Sequence, residues 1–463
     1  MIVFFSISVL AISFPVIAGS AACPSSSDGQ QLTAIMHQAD VDLRTDVMPF
    51  WTRSTWDDHG GGFLTEVDRN GKPQVGKDKY MAAECGMVWT LSAAQAYGLT
   101  GHGYLPLAGR GVDFIVNHMW DSQYSGWYTS LKPSGEPDDT SKSTYVQAAA
   151  IHALSEYALV AHDRHSLDWA ERTYALLKSR ATDGGAGFHE AFDRSWHPLP
   201  GWVDQMHHET ARTLRTHLEI MAALTSMVHA TEALDSPGVA HAYRVDLASL
   251  TDLIVDKAIN KRYKCAMDPF DRDWKPLPDR QDRLTTYFDE DTELAWRLLD
   301  AYQALHRPRE WIAKTFFGLV DTALDNAFDN YTGGFGKACY YGRPIFHVDE
   351  FMWDNKYNEC SEQANAMIAL TEAYAWSRDA KYLTALKTQW HWIWSYQIDR
   401  QGGDWFSKVR HSGAPDPEFM DKGMDDVKTC EQNGRCLIRV VTTLRTLLRT
   451  QRVQRTAAEQ GST

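Results

Sequence analysis

The sequence predicts an all-α toroid, an (α/α)6 barrel of six helical hairpins joined by short β-hairpins. Three observations predict it. A short phrase returns six times: glycines, an aromatic, a charged turn, then X-Pro. The copies stand at a nearly constant period: Gly62 to Gly126 is 64 residues, Gly126 to Gly187 is 61, and Gly334 to Gly403 is 69. Helical periodicity fills the gaps between copies. A fixed period of this size marks a repeat architecture, in which each unit buries its apolar face only against its neighbours.

Taken in order, the units read as follows. An outer helix over Asp40 to Phe50 precedes the first phrase, Gly60-Gly61-Gly62-Phe63 to Lys72-Pro73. An inner helix (Met87 to Leu99) and an outer one (Leu105 to His118) follow, each with apolar residues at three-and-four spacing. The second phrase, Gly126-Trp127-Tyr128 to Glu136-Pro137, leads into Val146 to Ala158 and Leu167 to Leu177. The third, Gly187-Phe188 to His197-Pro198, leads into Leu214 to Leu234 and Val245 to Val255. The fourth, Lys264-Cys265 to Lys275-Pro276, is degenerate; Leu294 to Leu305 and Trp311 to Ala327 follow it. The fifth, Gly333-Gly334-Phe335 to Arg343-Pro344, precedes Ala364 to Trp376 and Lys381 to Tyr396. The sixth, Gly402-Gly403-Asp404-Trp405-Phe406 to Ala414-Pro415, precedes Leu437 to Leu448. Where a phrase carries glycine it supplies a positive φ, and proline ends the extended arm.

The length of 463 residues alone would suggest about three domains. The repeat overrides that prior: residues 33–450 form one domain, and 451–463 a polar, frayed tail. Met1 to Ala18 are almost wholly apolar and small residues follow, so residues 1–22 read as a signal peptide lacking the usual basic start. A secreted or periplasmic protein is expected, with Cys23 a possible lipidation site and no later membrane span. Cys430/Cys436 and Cys339/Cys360 are candidate disulfides among seven cysteines. The net charge of -14 argues against nucleic acid and anionic membranes as partners. Aromatic content of 12%, with 17 Trp, suits a small saccharide, whose C–H faces stack on indoles. A monomer or homodimer is expected, with no cofactor and no metal.

In such a ring the turns into the inner helices converge on the cavity mouth. Acids and amides recur there: Glu84, Gln147, Glu209, Glu219, the run Asp289-Glu290-Asp291-Thr292-Glu293, Glu359, Glu362-Gln363 and Glu431-Gln432. His207, His208 and His217 join them. First-turn acids also serve the helix dipole, so a structural role competes with a catalytic one. Carboxyls whose environments split their pKa values supply acid and base. Trp127, Trp353 and Trp405 are either sugar platforms or core. His207, His208 and His217 are either pocket lining or a metal cluster without recognisable ligand spacing.

Several pieces together resemble the N-acylglucosamine 2-epimerase and cellobiose 2-epimerase superfamily, over roughly residues 40–448. They are Phe50-Trp51 with Gly61-Gly62-Phe63, and Gly126-Trp127-Tyr128 with Lys142-Ser143-Thr144-Tyr145. Thr216-His217-Leu218, Asp291-Thr292-Glu293-Leu294-Ala295-Trp296 and Gln363-Ala364 follow, then Lys428 with Asn433-Gly434-Arg435. The resemblance implies the same barrel and a sugar bound in its central cavity. It also implies departures. The positions of the family's catalytic histidines fall on Glu219, Glu290 and Gln432, and the arginine of its first inner helix on Gly86. A histidine titrates near neutrality; a carboxyl replaces it only where burial or a like charge raises its pKa.

The expected catalytic residues are therefore Glu290, with Glu219 or Glu84 opposite it. The expected sugar-binding residues are Asp291, Glu293, His217, His208, Tyr145, Gln147, Gln432, Arg435 and Trp353. Epimerisation or isomerisation by carboxyl acid/base chemistry is one reading. Glycoside hydrolysis by paired carboxylates is another, and a non-catalytic sugar-binding protein a third.

Overall fold

The computed structural model describes residues 26–74, 76–182, 186–199, 211–235, 237–278, 284–341, 356–423 and 429–460. The expected signal peptide, Cys23, His207, His208, Glu209, Arg343-Pro344, Trp353 and Lys428 lie outside the described residues. Among the described residues no helix is long and apolar enough to cross a membrane.

In chain order the helices are α1 (Ser26–Asp42), α2 (Met48–Thr52), α3 (Met81–Tyr97), α4 (Tyr104–Phe114), α5 (Thr144–Ala161), α6 (Arg164–Arg180) and α7 (Leu214–Leu234). They continue with α8 (Pro237–Lys257), α9 (Phe288–Ala304), α10 (Ala313–Ala327), α11 (Cys360–Ser377), α12 (Ala380–Trp392) and α13 (Glu431–Gln460). A π-helical turn, Leu43–Val47, joins α1 to α2. Helices α3, α5, α7, α9, α11 and α13 pack successively side by side, and α13 returns to α3, closing the inner ring. Each carries an outer helix: α4 on α3, α6 on α5, α8 on α7, α10 on α9, α12 on α11, and α1 on α13. The chain is thus the expected (α/α)6 barrel, its N-terminal helix supplying the sixth outer element.

Composition separates the two rings. Inner helix α5 (TYVQAAAIHALSEYALVA) is buried almost all round, since neighbours flank it and α6 covers its back. Outer helix α6 keeps one apolar stripe, Leu167, Ala170, Tyr174 and Leu177, against the core. Capping fixes the starts: Thr213 Oγ1 accepts the Thr216 N–H at 3.2 Å, and Asp163 Oδ2 the Ser166 N–H at 3.1 Å.

Among the described residues, five antiparallel strand pairs stitch the units. They are β1 (Lys79–Tyr80) with β2 (Ser130–Leu131), β3 (Lys142–Ser143) with β4 (Ala191–Phe192), and β5 (Ile259–Asn260) with β6 (Cys265–Ala266). The others are β7 (Thr285–Tyr287) with β8 (Ala338–Tyr340) and β9 (Tyr357–Glu359) with β10 (Lys408–Arg410). Four of them tie the strand entering one inner helix to the phrase of the next unit, as in Thr286↔Cys339 and Asn358↔Val409.

Two expectations are corrected. Among the described residues no disulfide is formed. Cys430 and Cys436 lie six residues apart at the start of α13, so their side chains point in different directions, and Cys430 Sγ faces Met87 Sδ at 3.5 Å. The tail expected to fray from Gln451 instead continues α13 to Gln460, with Gln451 itself buried. Trp127 and Trp405 are core residues, fully buried, their indole N–H groups donating to Thr173 Oγ1 (3.0 Å) and Asp42 Oδ2 (2.8 Å).

Candidate active site

The fourth residue of each inner helix from α3 to α11 is Glu84, Gln147, His217, Asp291 or Gln363. Each accepts the backbone N–H at the aromatic position of its own phrase. Phe63 N–H donates to Glu84 Oε1 (2.7 Å), Trp127 N–H to Gln147 Oε1 (2.8 Å) and Phe188 N–H to His217 Nε2 (3.1 Å). Ala266 N–H donates to Asp291 Oδ1 (2.5 Å) and Phe335 N–H to Gln363 Oε1 (2.9 Å). At the sixth junction Asn433 Nδ2 donates to Asp404 beside Trp405. A buried backbone donor must be satisfied, and a carboxyl, an amide or an imidazole will each do it. That is why the residue type varies while the position does not.

This clamp corrects four expectations. Glu84, Gln147, His217 and Asp291 are turned to the phrase backbone rather than to a sugar. Burial raises Glu84 and Asp291 to about 8 and lowers His217 to about 4. His217 is accordingly neutral. Its Nδ1–H donates to the Thr213 carbonyl at 2.6 Å, which leaves Nε2 as the acceptor for Phe188.

Two residues further along each inner helix the side chains turn to the axis. Glu219 on α7, Glu293 on α9, Asn365 on α11 and Arg435 on α13 hold that place; on α5 it is Ala149, and on α3 Gly86, whose missing side chain makes room for Thr429 and Glu431. One turn deeper come Trp89, His152, Trp296 and Arg297. They meet across the ring. His152 Nδ1 contacts Glu219 Oε1 at 2.8 Å. Arg297 donates to Glu219 Oε2 (3.2 Å) and to Glu293 Oε1 (2.6 Å). The Arg435 guanidinium pairs with Glu431 and lies 4.4 Å from the Trp89 ring centre and 5.7 Å from that of Trp296. Deeper still, Arg439 ties Asp300 (2.5 Å) to Glu372 (3.0 Å).

Glu219 is buried, which opposes its charge. His152, and then Arg297 and Arg435, outweigh burial and hold its pKa at about 2. Glu290 is the opposite case. It is half-buried in the first turn of α9, and among the described residues nothing hydrogen-bonds its carboxyl. Burial, then the crowding of Asp268, Asp289 and Asp291, pushes it well above the usual carboxylate range; Arg215 opposes this weakly. Burial and Glu293 raise Asp289 to about 6. Arg215 also lies over the Tyr145 ring, 4.9 Å from its centre.

Of the expected residues, Glu219, Glu293, Tyr145 and Arg435 belong to this one interconnected group, and Glu290 joins it through Arg215. Gln432 stands half-buried in the first turn of α13. Sequence reasoning missed His152, Trp89, Trp296, Arg297 and Arg215. A signal was present: Trp89, His152 and Trp296 share the ninth position of their inner helices.

The sequence model of the N-acylglucosamine 2-epimerase (GlcNAc 2-epimerase) family matches residues 61–424. A cellobiose 2-epimerase from Bacteroides fragilis is 25% identical over 412 residues, covering 86% of this chain and 97% of its own. A D-mannose isomerase from Thermobifida fusca is 22% identical over 383 residues, covering 82% of this chain and 88% of its own. Among solved structures, cellobiose 2-epimerase from Spirochaeta thermophila superposes with a TM-score of 0.79 at 25% identity, covering 92% of this chain and all of its own.

Proposed function

The chain belongs to the N-acylglucosamine 2-epimerase family, and from that premise we propose that it epimerises or isomerises the reducing end of a mono- or oligosaccharide by carboxyl acid/base chemistry. Its relatives are named for cellobiose and mannose, both aldoses with a carbonyl at C1 and a proton on C2. Both reactions begin by removing that C2 proton.

Glu290 is the observation that carries the reading. A neutral carboxyl, unpartnered among the described residues, can donate its proton to O1 of the open-chain aldehyde as the C2–H bond breaks. Burial, then the crowding of Asp268, Asp289 and Asp291, pushes its pKa well above the ordinary carboxylate range, so it keeps its proton to higher pH than a free carboxyl. Arg435, flanked by two indoles, and Glu293 offer a charged and aromatic wall for the hydroxyls.

One observation favours a second reading. Glu219 is held well below the ordinary carboxylate range while Glu290 is pushed well above it, and such a split pair is also what glycoside hydrolysis uses. The deciding experiment incubates the protein with cellobiose, mannose, glucose and aryl glycosides in D2O and reads products by NMR. Deuterium at C2 without bond cleavage supports the proposal. New reducing ends without deuterium overturn it in favour of hydrolysis, and binding without either leaves a sugar-binding protein.

A further inference from the structure

Resting on that reading, we propose that His152 is the base that takes the C2 proton, with Glu219 as its positioning residue. His152 lies in α5 among alanines and leucines, where an imidazole ordinarily serves only packing. Its setting is different. Nδ1 lies 2.8 Å from Glu219 Oε1. An ionised carboxylate can only accept, so Nδ1 carries a proton, and in the neutral ring the lone pair then stands on Nε2. Among the described residues only Glu219 hydrogen-bonds the ring.

Glu219 itself is a poor candidate for the base. One oxygen holds His152 and the other Arg297, which in turn holds Glu293. A carboxylate so fixed, with a pKa of about 2, has little affinity for a carbon-bound proton. What it can do is fix the imidazole tautomer and stabilise the imidazolium that forms. The other charged groups near this pair are Glu156 on the same helix, Arg297 from α9, and Arg435 from α13. Trp89 from α3 covers the ring, with centroids 5.7 Å apart.

The step balances. His152 Nε2 takes the proton from C2, and the C–H electron pair becomes the C1=C2 bond. The carbonyl π pair moves to O1 and takes the Glu290 proton. This gives a neutral enediol, an imidazolium and a carboxylate. Once the enediol has turned its other face to the imidazolium, returning the proton to C2 from that face, as O1–H gives its proton back to Glu290, gives the epimer. Returning it to C1, as O2–H gives its proton back to Glu290, gives the ketose.

The test uses the intact protein and the same sugars in D2O. The near-isosteric His152→Gln, checked for folding by circular dichroism and thermal melting, should lose C2–H exchange by roughly 100-fold or more. Glu219→Gln should keep KM, lower kcat, and move the acid limb of kcat/KM to lower pH, because the imidazolium loses its counter-charge. Folded His152→Gln exchanging at the parental rate overturns the inference and leaves the epimerase reading intact. Glu219→Gln with its acid limb unmoved overturns the positioning role. No exchange by the parent protein on any sugar overturns both readings.

Discussion

Gln363 holds Phe335 by both sides of its backbone. Its Oε1 accepts the Phe335 N–H at 2.9 Å and its Nε2 donates to the Phe335 carbonyl at 2.8 Å. Gln389 completes the group, donating to the same Gln363 Oε1 at 2.9 Å and accepting the Gly334 N–H at 3.0 Å. Gln363→Ala strips two buried donors, Phe335 N–H and Gln389 Nε2, and one buried acceptor, the Phe335 carbonyl, of their partner. At about 1–3 kcal/mol for each group left unsatisfied, the loss should be roughly 3 kcal/mol. Urea denaturation would read it; a loss under about 1 kcal/mol would mean that the clamp is incidental.

Glu84 occupies the same position with a carboxyl, and that choice makes stability depend on pH. Its native pKa is about 8, raised by burial from an ordinary 4.5. The native state therefore keeps a proton that the unfolded chain has released. The stabilisation is complete below about pH 4.5 and is lost as pH rises through 8. Glu84→Gln supplies the neutral amide that Gln147 and Gln363 already use. Its melting temperature should fall less between pH 5 and pH 8 than that of the parent. Asp291 and Glu190, also near 8, keep a slope of the same sign in both proteins, so the difference is the readout. Parallel curves would refute the assignment.

Gly334 stands where the phrase passes under an outer helix, with φ of 91°. A Cβ there would lie 2.4 Å from Asn358 Nδ2 and 3.0 Å from the Trp392 ring. Gly334→Ala combines left-handed backbone strain with a clash against a buried indole. It should cost about 2–4 kcal/mol. Gly76, with φ of 79° and open space around its Cβ position, is the control: Gly76→Ala carries the backbone strain alone and should cost clearly less.

The fold was legible because its signals are local. Gly62-Phe63 and its copies need a positive φ and a buried ring, and both leave marks in sequence. The site was legible only in part. The sequence displays an acceptor at Glu84 or Asp291, but not whether it faces a sugar or a backbone amide, and here it faces the amide. His152 sits in an apolar helix without a motif, and its partner Glu219 is 67 residues away. Only the shared register of the inner helices, with the ring closed, brings them together. Arg297 and Arg435 are similar cases, since their roles depend on contacts with Glu219, Trp89 and Trp296 on other helices.

Glu290 and Asp289 give the sharpest test of the proposed chemistry. Glu290→Gln keeps the shape and a hydrogen-bond donor but has no proton to release. Turnover should fall by roughly 100- to 10,000-fold, with sugar binding by calorimetry within a few-fold of the parent. Because Glu290 acts as an acid, activity should persist while it is protonated and fall as pH rises through its raised pKa. Asp289 is one of the like charges that raise it. Asp289→Asn removes that repulsion, so Glu290 gives up its proton more readily. The alkaline limb of kcat should then move to lower pH, while the acid limb stays in place. An alkaline limb that does not move would separate Glu290 from the proton transfer, whatever Glu290→Gln does to the rate.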